Sequence, residues 1–254
     1  MPRRVRHPVL LHGFTGSSQT WGHTIVDGLT GAGLIPVLVD LPGHGRHVDQ
    51  TDPAAFGLDS ALELVTSTGR GPFPLLGYSM GGRLALHYVV RYPERVTRLV
   101  LESSSPGLAG AEERSDRRAA DAVLADRILD RGIEAFVDEW EALPLFESQN
   151  RLPAELRHVV RAHRLRNVAG SLAASLRGLG TGSLPSLWDR LSEVSVPTLI
   201  VAGELDPRFG AIGERMADSM PDARLRVVPS AGHAVHLEQP EAWCAAVIPF
   251  LRAD

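Results

Sequence analysis

Short runs of apolar residues recur along the chain without the polar alternation of a half-exposed strand. They lie at residues 8–11, 35–39, 73–77, 97–101, 197–202 and 224–228. Continuous apolar strands are typical of parallel sheets whose two faces are both covered by helices. Segments with helical spacing of apolar residues separate them, at residues 19–30, 53–67, 80–92, 208–219 and 238–252. This alternation predicts an α/β fold with a doubly wound, mostly parallel sheet of about six strands.

A helical insertion interrupts the alternation between the fourth and fifth predicted strands, because residues 106–190 contain no convincing strand. One predicted helix there carries an apolar stripe at i, i+3, i+4 and i+7, which are Ile133, Phe136, Val137 and Trp140. Pro144 ends this helix. We expect residues 106–190 to form a cap over the carboxyl ends of the strands, where open α/β sheets bind ligands. Residues 1–105 and 191–254 would form the sheet domain.

A second helix of the insertion is predicted to begin near Pro153. Its apolar residues share one face, namely Leu156, Val159 and Val160. Its arginines share another, namely Arg157, Arg161 and Arg164. Further along, the run GLGTG at 178–182 follows a helix rather than a strand, so we interpret it as a turn and not as a nucleotide-binding loop.

Charge and composition narrow the possible functions. The net charge of −4 argues against nucleic acid as a partner. All 26 Lys and Arg residues are arginine, so an arginine at one position is weak evidence by itself. The single cysteine, Cys244, fits a reducing compartment. No segment reaches the roughly 20 apolar residues of a membrane span, and the first apolar run is too short for a signal peptide. We expect a cytoplasmic monomer or weak homo-oligomer without a membrane partner.

The candidate chemistry centres on the stretch LLGYSMGGRLAL, residues 75–86. Within it, residues 77–81 match G-x-S-x-G, a sharp strand-to-helix turn that raises Ser79 above the carboxyl edge of a sheet. The context suits this turn, because an apolar strand precedes it and an amphipathic helix follows it. Ser79 is therefore a candidate catalytic serine.

A serine hydroxyl needs a base to take its proton, and the base needs an acid to orient it. After this kind of turn the expected chain order is serine, acid, histidine. Asp206 follows the fifth predicted strand, and His233 follows the last one behind a glycine turn. We predict a triad of Ser79, Asp206 and His233, with Glu204 as an alternative acid and His236 as an alternative base.

The end of the first predicted strand, HGF at 12–14, is expected to supply one donor of an oxyanion hole. That donor is the main-chain N–H of Phe14, and the N–H of Met80 is expected to supply the other. His44 and His47 could suggest a metal, but no acidic or cysteine ligand accompanies them at a convincing spacing. We therefore predict neither a metal nor a cofactor.

Arg83 lies four residues after Ser79, in the first turns of the helix that the glycine turn begins. Its side chain can therefore return toward the serine. A guanidinium binds a carboxylate through two parallel hydrogen bonds, so Arg83 indicates a carboxylate-bearing substrate. The arginine-rich composition leaves a structural ion pair as the alternative.

Seven strings spread over nearly the whole chain resemble one enzyme family. They are LHGFTGSSQTW, DLPGHG, LLGYSMGGRLALHY, PERVTRLVLESSSPGL, LRGLGTGSLPSLWDRL, VAGELDPRF and AGHAVHLEQPE. The family is the 2-succinyl-6-hydroxy-2,4-cyclohexadiene-1-carboxylate synthases (MenH) of menaquinone biosynthesis, which have the α/β-hydrolase fold. SMGGR, ESSSPGL and LRGLGTG are the most specific strings. Only seven residues precede the first predicted strand, whereas fuller members of the superfamily have two more strands there, so we expect a smaller sheet.

The resemblance implies elimination rather than hydrolysis. Such enzymes remove a ring proton α to a ketone and release pyruvate from an enolpyruvyl ether, with the triad serine as the base. The substrate is a small anion with three carboxylates. By resemblance the carboxylate-binding positions are Arg83, Arg117 and Arg164, with Arg161 or Arg166 as alternatives to the last. The aromatic pocket positions are Tyr78 and Trp140.

Two other functions remain open from the sequence. A serine hydrolase (an esterase, thioesterase or C–C hydrolase) acting on a small carboxylated substrate would use the same triad and form an acyl-enzyme. A binding protein that has lost catalysis is disfavoured by the complete triad. An epoxide hydrolase or dehalogenase is disfavoured because those enzymes need a carboxylate where this chain has Ser79.

Overall fold

The six predicted strands form one parallel sheet in the computed structural model, which describes residues 6–253. In chain order they are β1 (Val9–Leu11), β2 (Val37–Val39), β3 (Phe73–Tyr78), β4 (Val96–Glu102), β5 (Thr198–Gly203) and β6 (Ala223–Val228). Every neighbouring pair is parallel, in the order β2-β1-β3-β4-β5-β6. The predicted fold class is confirmed.

Helices connect the strands on both faces of the sheet. In chain order they are α1 (Gly22–Gly31), α2 (Leu58–Thr68), α3 (Met80–Arg91), α4 (Ala111–Glu141), α5 (Ala154–Leu165), α6 (Ala169–Leu179), α7 (Pro207–Ser219), α8 (Val235–Glu238) and α9 (Pro240–Arg252). Short 3-10 helices lie at Ser18–Trp21, Gly45–His47, Pro53–Phe56, Pro93–Arg95, Pro144–Arg151 and Trp188–Glu193. The helices predicted outside the insertion correspond to α1, α2, α3, α7 and α9. Within residues 6–253 no helix is long and apolar enough to cross a membrane.

Two apolar layers hold the helices against the sheet. On one face α1 and α9 pack through residues such as Ile25 and Trp243 against Leu76. On the other face α2, α3 and α7 surround the opposite side chains of the same strands, among them Leu75. Because both faces of the sheet are covered, successive residues of a central strand are all buried, which explains the continuous apolar runs in the sequence.

The insertion between β4 and β5 contains α4, α5 and α6 and no strand, as the sequence predicts. Helix α4 bends at Gly132, whose φ of 78° and ψ of 176° are not helical. Beyond the bend, Phe136 and Val137 of the predicted stripe are buried against Leu172 and Leu176 of α6. The first part of α4 has no counterpart among the sequence predictions, and α6 is the helix expected before residues 178–182, for which the sequence predicts no bounds.

Helix α5 forms where it is predicted, but its apolar residues do not form its buried side. Val159 is 49% exposed, whereas Arg164 is the one buried residue of the helix. The periodicity therefore predicts the helix correctly and does not predict which face is covered. Helix packing in the insertion decides that face.

Candidate active site

Ser79 occupies a strained turn between β3 and α3. Its main-chain angles, φ 50° and ψ −108°, lie where residues with a side chain are rarely found. Close main-chain approaches explain the glycines: an added Cβ on Gly77 would lie 2.3 Å from the carbonyl oxygen of Gly81, and one on Gly81 would lie 2.2 Å from that of Leu11. The N–H of Ser79 donates to the carbonyl of Glu102 at 2.9 Å, which ties the turn to β4. The structure thus contains the strand-to-helix turn that G-x-S-x-G predicts.

The side chains of Ser79, His233 and Asp206 form a hydrogen-bonded chain at the carboxyl edge of the sheet. His233 Nε2 lies 3.1 Å from Ser79 Oγ, and His233 Nδ1 lies 2.7 Å from Asp206 Oδ2. Asp206 is fixed in turn, because its Oδ1 accepts the main-chain N–H of Phe209 at 3.2 Å. The imidazole is 2% exposed. This geometry suits proton transfer from Ser79 to His233, with Asp206 orienting the ring.

Neither of the alternative triad residues reaches Ser79. His236 belongs to a separate buried cluster, where its Nδ1 lies 2.7 Å from Glu102 Oε1 and Trp243 Nε1 donates to Glu102 Oε2 at 2.8 Å. Glu204 is exposed and accepts a main-chain N–H from the loop after β6. The distances therefore favour the predicted acid and base over these alternatives.

Two main-chain N–H groups line the same cavity as Ser79. Within residues 6–253, the N–H groups of Phe14 and Met80 have no hydrogen-bond acceptor, and both residues line one cavity with Ser79. Strand pairing brings them together, because Leu11 at the end of β1 is paired with Gly77 of β3. Free N–H groups in this position suit a developing negative charge on a substrate oxygen.

Two buried histidines hold the loop that carries Phe14. The Nε2 atom of His12 accepts the N–H of Leu41 at 3.0 Å, and that of His44 accepts the N–H of Thr15 at 3.2 Å. Burial lowers the pKa of His12 to about 4 and that of His44 to about 3, so both are neutral acceptors near pH 7. Among the residues that the structure describes, no group of three or more His, Cys, Asp or Glu side chains could hold a metal ion.

A cavity of about 370 Å³ lies between the inserted helices and the carboxyl edge of the sheet. Most of the predicted site residues line it, namely Phe14, Tyr78, Ser79, Met80, Arg83, Arg117, Trp140 and His233. Two predicted residues do not. Asp206 lies behind His233, as an orienting acid should, and Arg164 lies elsewhere. We refer to this space as the central cavity.

Arg83 has no carboxylate partner within the described part of the chain. Its Nε atom is buried without a hydrogen-bond acceptor. Burial and the positive charge of Arg117 lower the pKa of Arg83 to about 10, against the opposing effect of Asp121. Arg117 itself is 43% exposed and donates from Nε to Asp121 at 2.7 Å. No ion pair among the described residues explains Arg83, so its guanidinium is available to an anionic ligand.

Aromatic side chains form the walls around these groups. Trp140 packs against Phe14 with ring centroids 5.4 Å apart, and Tyr78 lies 5.5 Å from the ring of His233. Burial, and after it the charge of Glu102, raise the pKa of Tyr78 well above its ordinary value. Tyr78 is therefore a neutral phenol, and this aromatic part of the wall carries no charge.

Arg164 is buried behind the central cavity rather than in it. Its Nη1 donates to Glu141 at 2.8 Å, its Nη2 donates to Gln149 at 3.1 Å, and its guanidinium lies 5.2 Å from the ring centroid of Phe146. It lines a second cavity of about 270 Å³ instead. The alternatives Arg161 and Arg166 do not line the central cavity either. Arg161 donates to Glu141 and Asp138, and Arg166 donates to Gln19.

Three charged residues of the central cavity were not among the predicted ones. They are Glu113 on α4 and Arg208 and Arg215 on α7. A signal for the arginines exists in the sequence, because Arg208, Ile212 and Arg215 have the spacing of one helical face. Their proximity to Ser79 depends on Asp206, which precedes α7 directly and brings the helix to the site.

Comparison with known proteins places this geometry in a family. The family model described as the alpha/beta hydrolase family matches residues 9–247. The chain belongs to the alpha/beta hydrolase family. Among solved structures, MenH from Staphylococcus aureus superposes with a TM-score of 0.91 at 37% identity, over 97% of this chain and 93% of that one. The resemblance to the MenH family noted in the sequence is confirmed.

Curated relatives in the hydrolase family carry the name of one synthase. The Enterobacter protein 2-succinyl-6-hydroxy-2,4-cyclohexadiene-1-carboxylate synthase is 33% identical over 96% of this chain and 91% of its own length. A Bacillus subtilis protein that carries this name provisionally is 44% identical over 98% of this chain and 92% of its own length. A thermophilic esterase from Thermogutta terrifontis, solved with malate bound, superposes with a TM-score of 0.80 at 26% identity. The superposition covers 97% of this chain and 89% of the esterase chain.

Proposed function

We propose that this protein is a carbon–oxygen lyase of menaquinone biosynthesis. Its reaction is elimination of pyruvate from 2-succinyl-5-enolpyruvyl-6-hydroxy-3-cyclohexene-1-carboxylate, which gives 2-succinyl-6-hydroxy-2,4-cyclohexadiene-1-carboxylate. The names of its relatives support the reaction. A cytoplasmic location fits the single free cysteine, Cys244.

One observation about the site carries the proposal. Within residues 6–253, Arg83 has no ion-pair partner, and it lines the same cavity as the hydrogen-bonded Ser79 and His233 and as Arg117. A partly buried cation without an anionic partner is energetically unfavourable. A substrate carboxylate would supply the missing charge. Neutral esters would not, so the site favours a substrate with several carboxylates.

The geometry provides a route for the first proton. Ser79 Oγ transfers its proton to His233 Nε2 and accepts the ring proton α to the succinyl ketone. The electron pair of the broken C–H bond moves onto the ketone oxygen, where the N–H groups of Phe14 and Met80 stabilise the dienolate. Asp206 stabilises the imidazolium that forms.

The second half of the reaction breaks the C–O bond to the enolpyruvyl group. The electron pair returns from the oxygen through the ring double bond, which shifts by one position as the second double bond forms. His233 delivers its proton to the departing oxygen, and the released enol becomes pyruvate. Ser79 and His233 end in their starting protonation states, so the enzyme turns over without an acyl-enzyme.

Pyruvate release tests the proposal directly. The purified protein is incubated with the enolpyruvyl substrate, and pyruvate is measured with lactate dehydrogenase and NADH. We expect release in proportion to enzyme concentration, and a loss of roughly 1,000-fold or more in kcat for Ser79→Ala. Release no faster than in the absence of enzyme would rule the proposal out.

A serine hydrolase acting on a small carboxylated substrate is the second candidate. The esterase from Thermogutta terrifontis, at 26% identity and a TM-score of 0.80, supports it, because the same triad would form an acyl-enzyme. Intact-mass spectrometry during turnover separates the two. The lyase shows only unmodified protein, whereas a hydrolase shows added acyl mass that Ser79→Ala abolishes.

A further inference from the structure

Helix α7 presents two arginines to the central cavity. It begins directly after Asp206, and Arg208, Ile212 and Arg215 follow each other at helical spacing along one side. All three line the cavity that holds Ser79. The helix that the predicted triad acid begins therefore also forms a cationic wall of the same site.

Neither arginine is neutralised by the protein. Within residues 6–253, no carboxylate lies in ion-pair range of Arg208 or Arg215, whereas the nearby Arg190 is paired with Glu193. The contacts of the two cavity arginines are aromatic: Arg208 lies 5.9 Å from the ring centroid of Phe209. Arg215 lies 4.1 Å from that of Trp188.

The stacking of Arg215 prepares it to bind an anion. Trp188 is fixed at the cavity wall, because its Nε1 donates to the carbonyl of Gly107 at 3.0 Å. A guanidinium stacked on an indole keeps its N–H groups at the edge free, and its orientation is restricted before a ligand arrives. Less conformational freedom is then lost when a carboxylate binds.

Without α7, the described lining of the central cavity has fewer arginines than the proposed substrate has carboxylates. The substrate has three carboxylates, and the cavity-lining cations outside α7 are Arg83 and Arg117. Arg164 lies behind Phe146 with its guanidinium occupied by protein acceptors. Glu113 is the one acidic residue in the described lining, so the cavity remains cationic with its charge included.

We propose that Arg215, with Arg208 on the same side of α7, binds one carboxylate of the substrate and helps to select a tricarboxylate. This inference rests on the proposed function. Both residues are exposed, and the described hydrogen bonds of the Ser79 and His233 side chains involve neither of them. Their contribution is equal in the ground state and the transition state, which affects KM and leaves kcat nearly unchanged.

The test compares single variants in the pyruvate-release assay. Arg215→Ala raises KM for the enolpyruvyl tricarboxylate by roughly 10- to 100-fold, as expected when hydrogen bonds to a charged group are lost. Arg208→Ala raises KM less, and kcat stays within about two-fold in both. Arg215→Lys keeps the charge and recovers part of the affinity. Arg226→Ala is the matched control, because it removes one exposed positive charge outside the cavity.

The outcomes separate this inference from the proposed function. If Arg215→Ala has the KM of Arg226→Ala, or loses kcat at unchanged KM, the carboxylate site on α7 is refuted. If the wild type releases no pyruvate, the proposed function fails, and the unconsumed tricarboxylate becomes a ligand for calorimetry. Weaker binding to Arg215→Ala than to Arg226→Ala would then still support the site. Equal binding to both, or no binding to the wild type, would overturn it.

Discussion

Replacement of Arg83 by methionine tests two effects of this side chain separately. One is the effect of its buried charge on the stability of the fold, and the other is its contribution to activity. Methionine keeps the length of the side chain and removes its charge. In the structure Arg83 has a buried Nε without an acceptor and no carboxylate partner within residues 6–253. We expect Arg83→Met to unfold less readily than the wild type, because an uncompensated charge is removed.

The magnitude follows from the effect of the site on the guanidinium. The pKa of Arg83 falls from 12.5 to about 10, with burial as the largest cause and Arg117 as the second. Since each pKa unit corresponds to about 1.4 kcal/mol, the charged form is disfavoured by about 3 kcal/mol. Arg83 is still charged near pH 7. We expect Arg83→Met to gain roughly 1 to 3 kcal/mol in free energy of unfolding.

The same change should remove most of the activity. Loss of one partner of a partly buried charge pair with a substrate carboxylate costs roughly 2 to 5 kcal/mol in transition-state stabilisation. That is a fall in kcat/KM of roughly 30- to 5,000-fold. Urea unfolding at pH 7 measures the stability, and the pyruvate-release assay measures kcat/KM.

Arg95→Met is the matched control for this experiment. Arg95 Nη2 donates to the carbonyls of Thr66 at 3.3 Å and Gly69 at 3.0 Å, so its loss should lower stability and leave activity unchanged. If Arg83→Met behaves like Arg95→Met and is less stable than the wild type, then Arg83 is a structural cation. An unchanged kcat/KM would remove Arg83 from the site.

Three further outcomes follow from the structure. Asp206→Asn should lower kcat by roughly 1,000- to 10,000-fold in the pyruvate assay with KM little changed, because the imidazolium loses its orienting anion; an unaffected kcat would exclude Asp206 as the acid. The folded-state pKa values of His12 and His44, about 4 and about 3, lie below the ordinary value of 6.5. Below pH 6.5 the unfolded chain therefore binds protons that the folded protein does not, and stability in urea should fall as the pH drops toward 4, by up to about 1.4 kcal/mol per pH unit for each histidine. A flat profile from pH 7 to 5 would contradict this. Glu102→Ala should lower the free energy of unfolding by roughly 3 to 5 kcal/mol, since the buried donors of His236 lose their acceptor. A shift in Tm of less than about 1 °C in calorimetric melting would contradict this role of Glu102.

The sheet and the turn at Ser79 were accessible from the sequence because their signals are local. Buried parallel strands are continuous apolar runs, and the glycines at 77 and 81 are required by contacts of the turn itself. The chain order of serine, acid and histidine is the one expected after a G-x-S-x-G turn, and parallel strands bring their carboxyl ends to one edge of the sheet. The relative positions of Asp206 and His233 needed no knowledge of distant packing.

The inserted helices were harder to predict because their buried positions are not all apolar. Ser171 of α6 is buried, and its hydroxyl donates to the carbonyl of Gln50 at 3.0 Å, in a segment far away along the chain. In α5 the buried position is Arg164, which Glu141 and Gln149 hold. A pattern of apolar residues contains neither of these tertiary hydrogen bonds, so it does not reveal that Arg164 lies outside the central cavity.

The role of Ser79 as a base is the central claim, and an isotope experiment tests it most directly. The enolpyruvyl substrate is prepared with deuterium at the ring carbon α to the succinyl ketone, and pyruvate release is followed in a single turnover with enzyme in excess. If Ser79 removes that proton, release from the deuterated substrate is slower than from the protiated one, and no acyl mass is found on the protein. Equal rates together with a covalent adduct on Ser79 would contradict the account and identify the serine as a nucleophile.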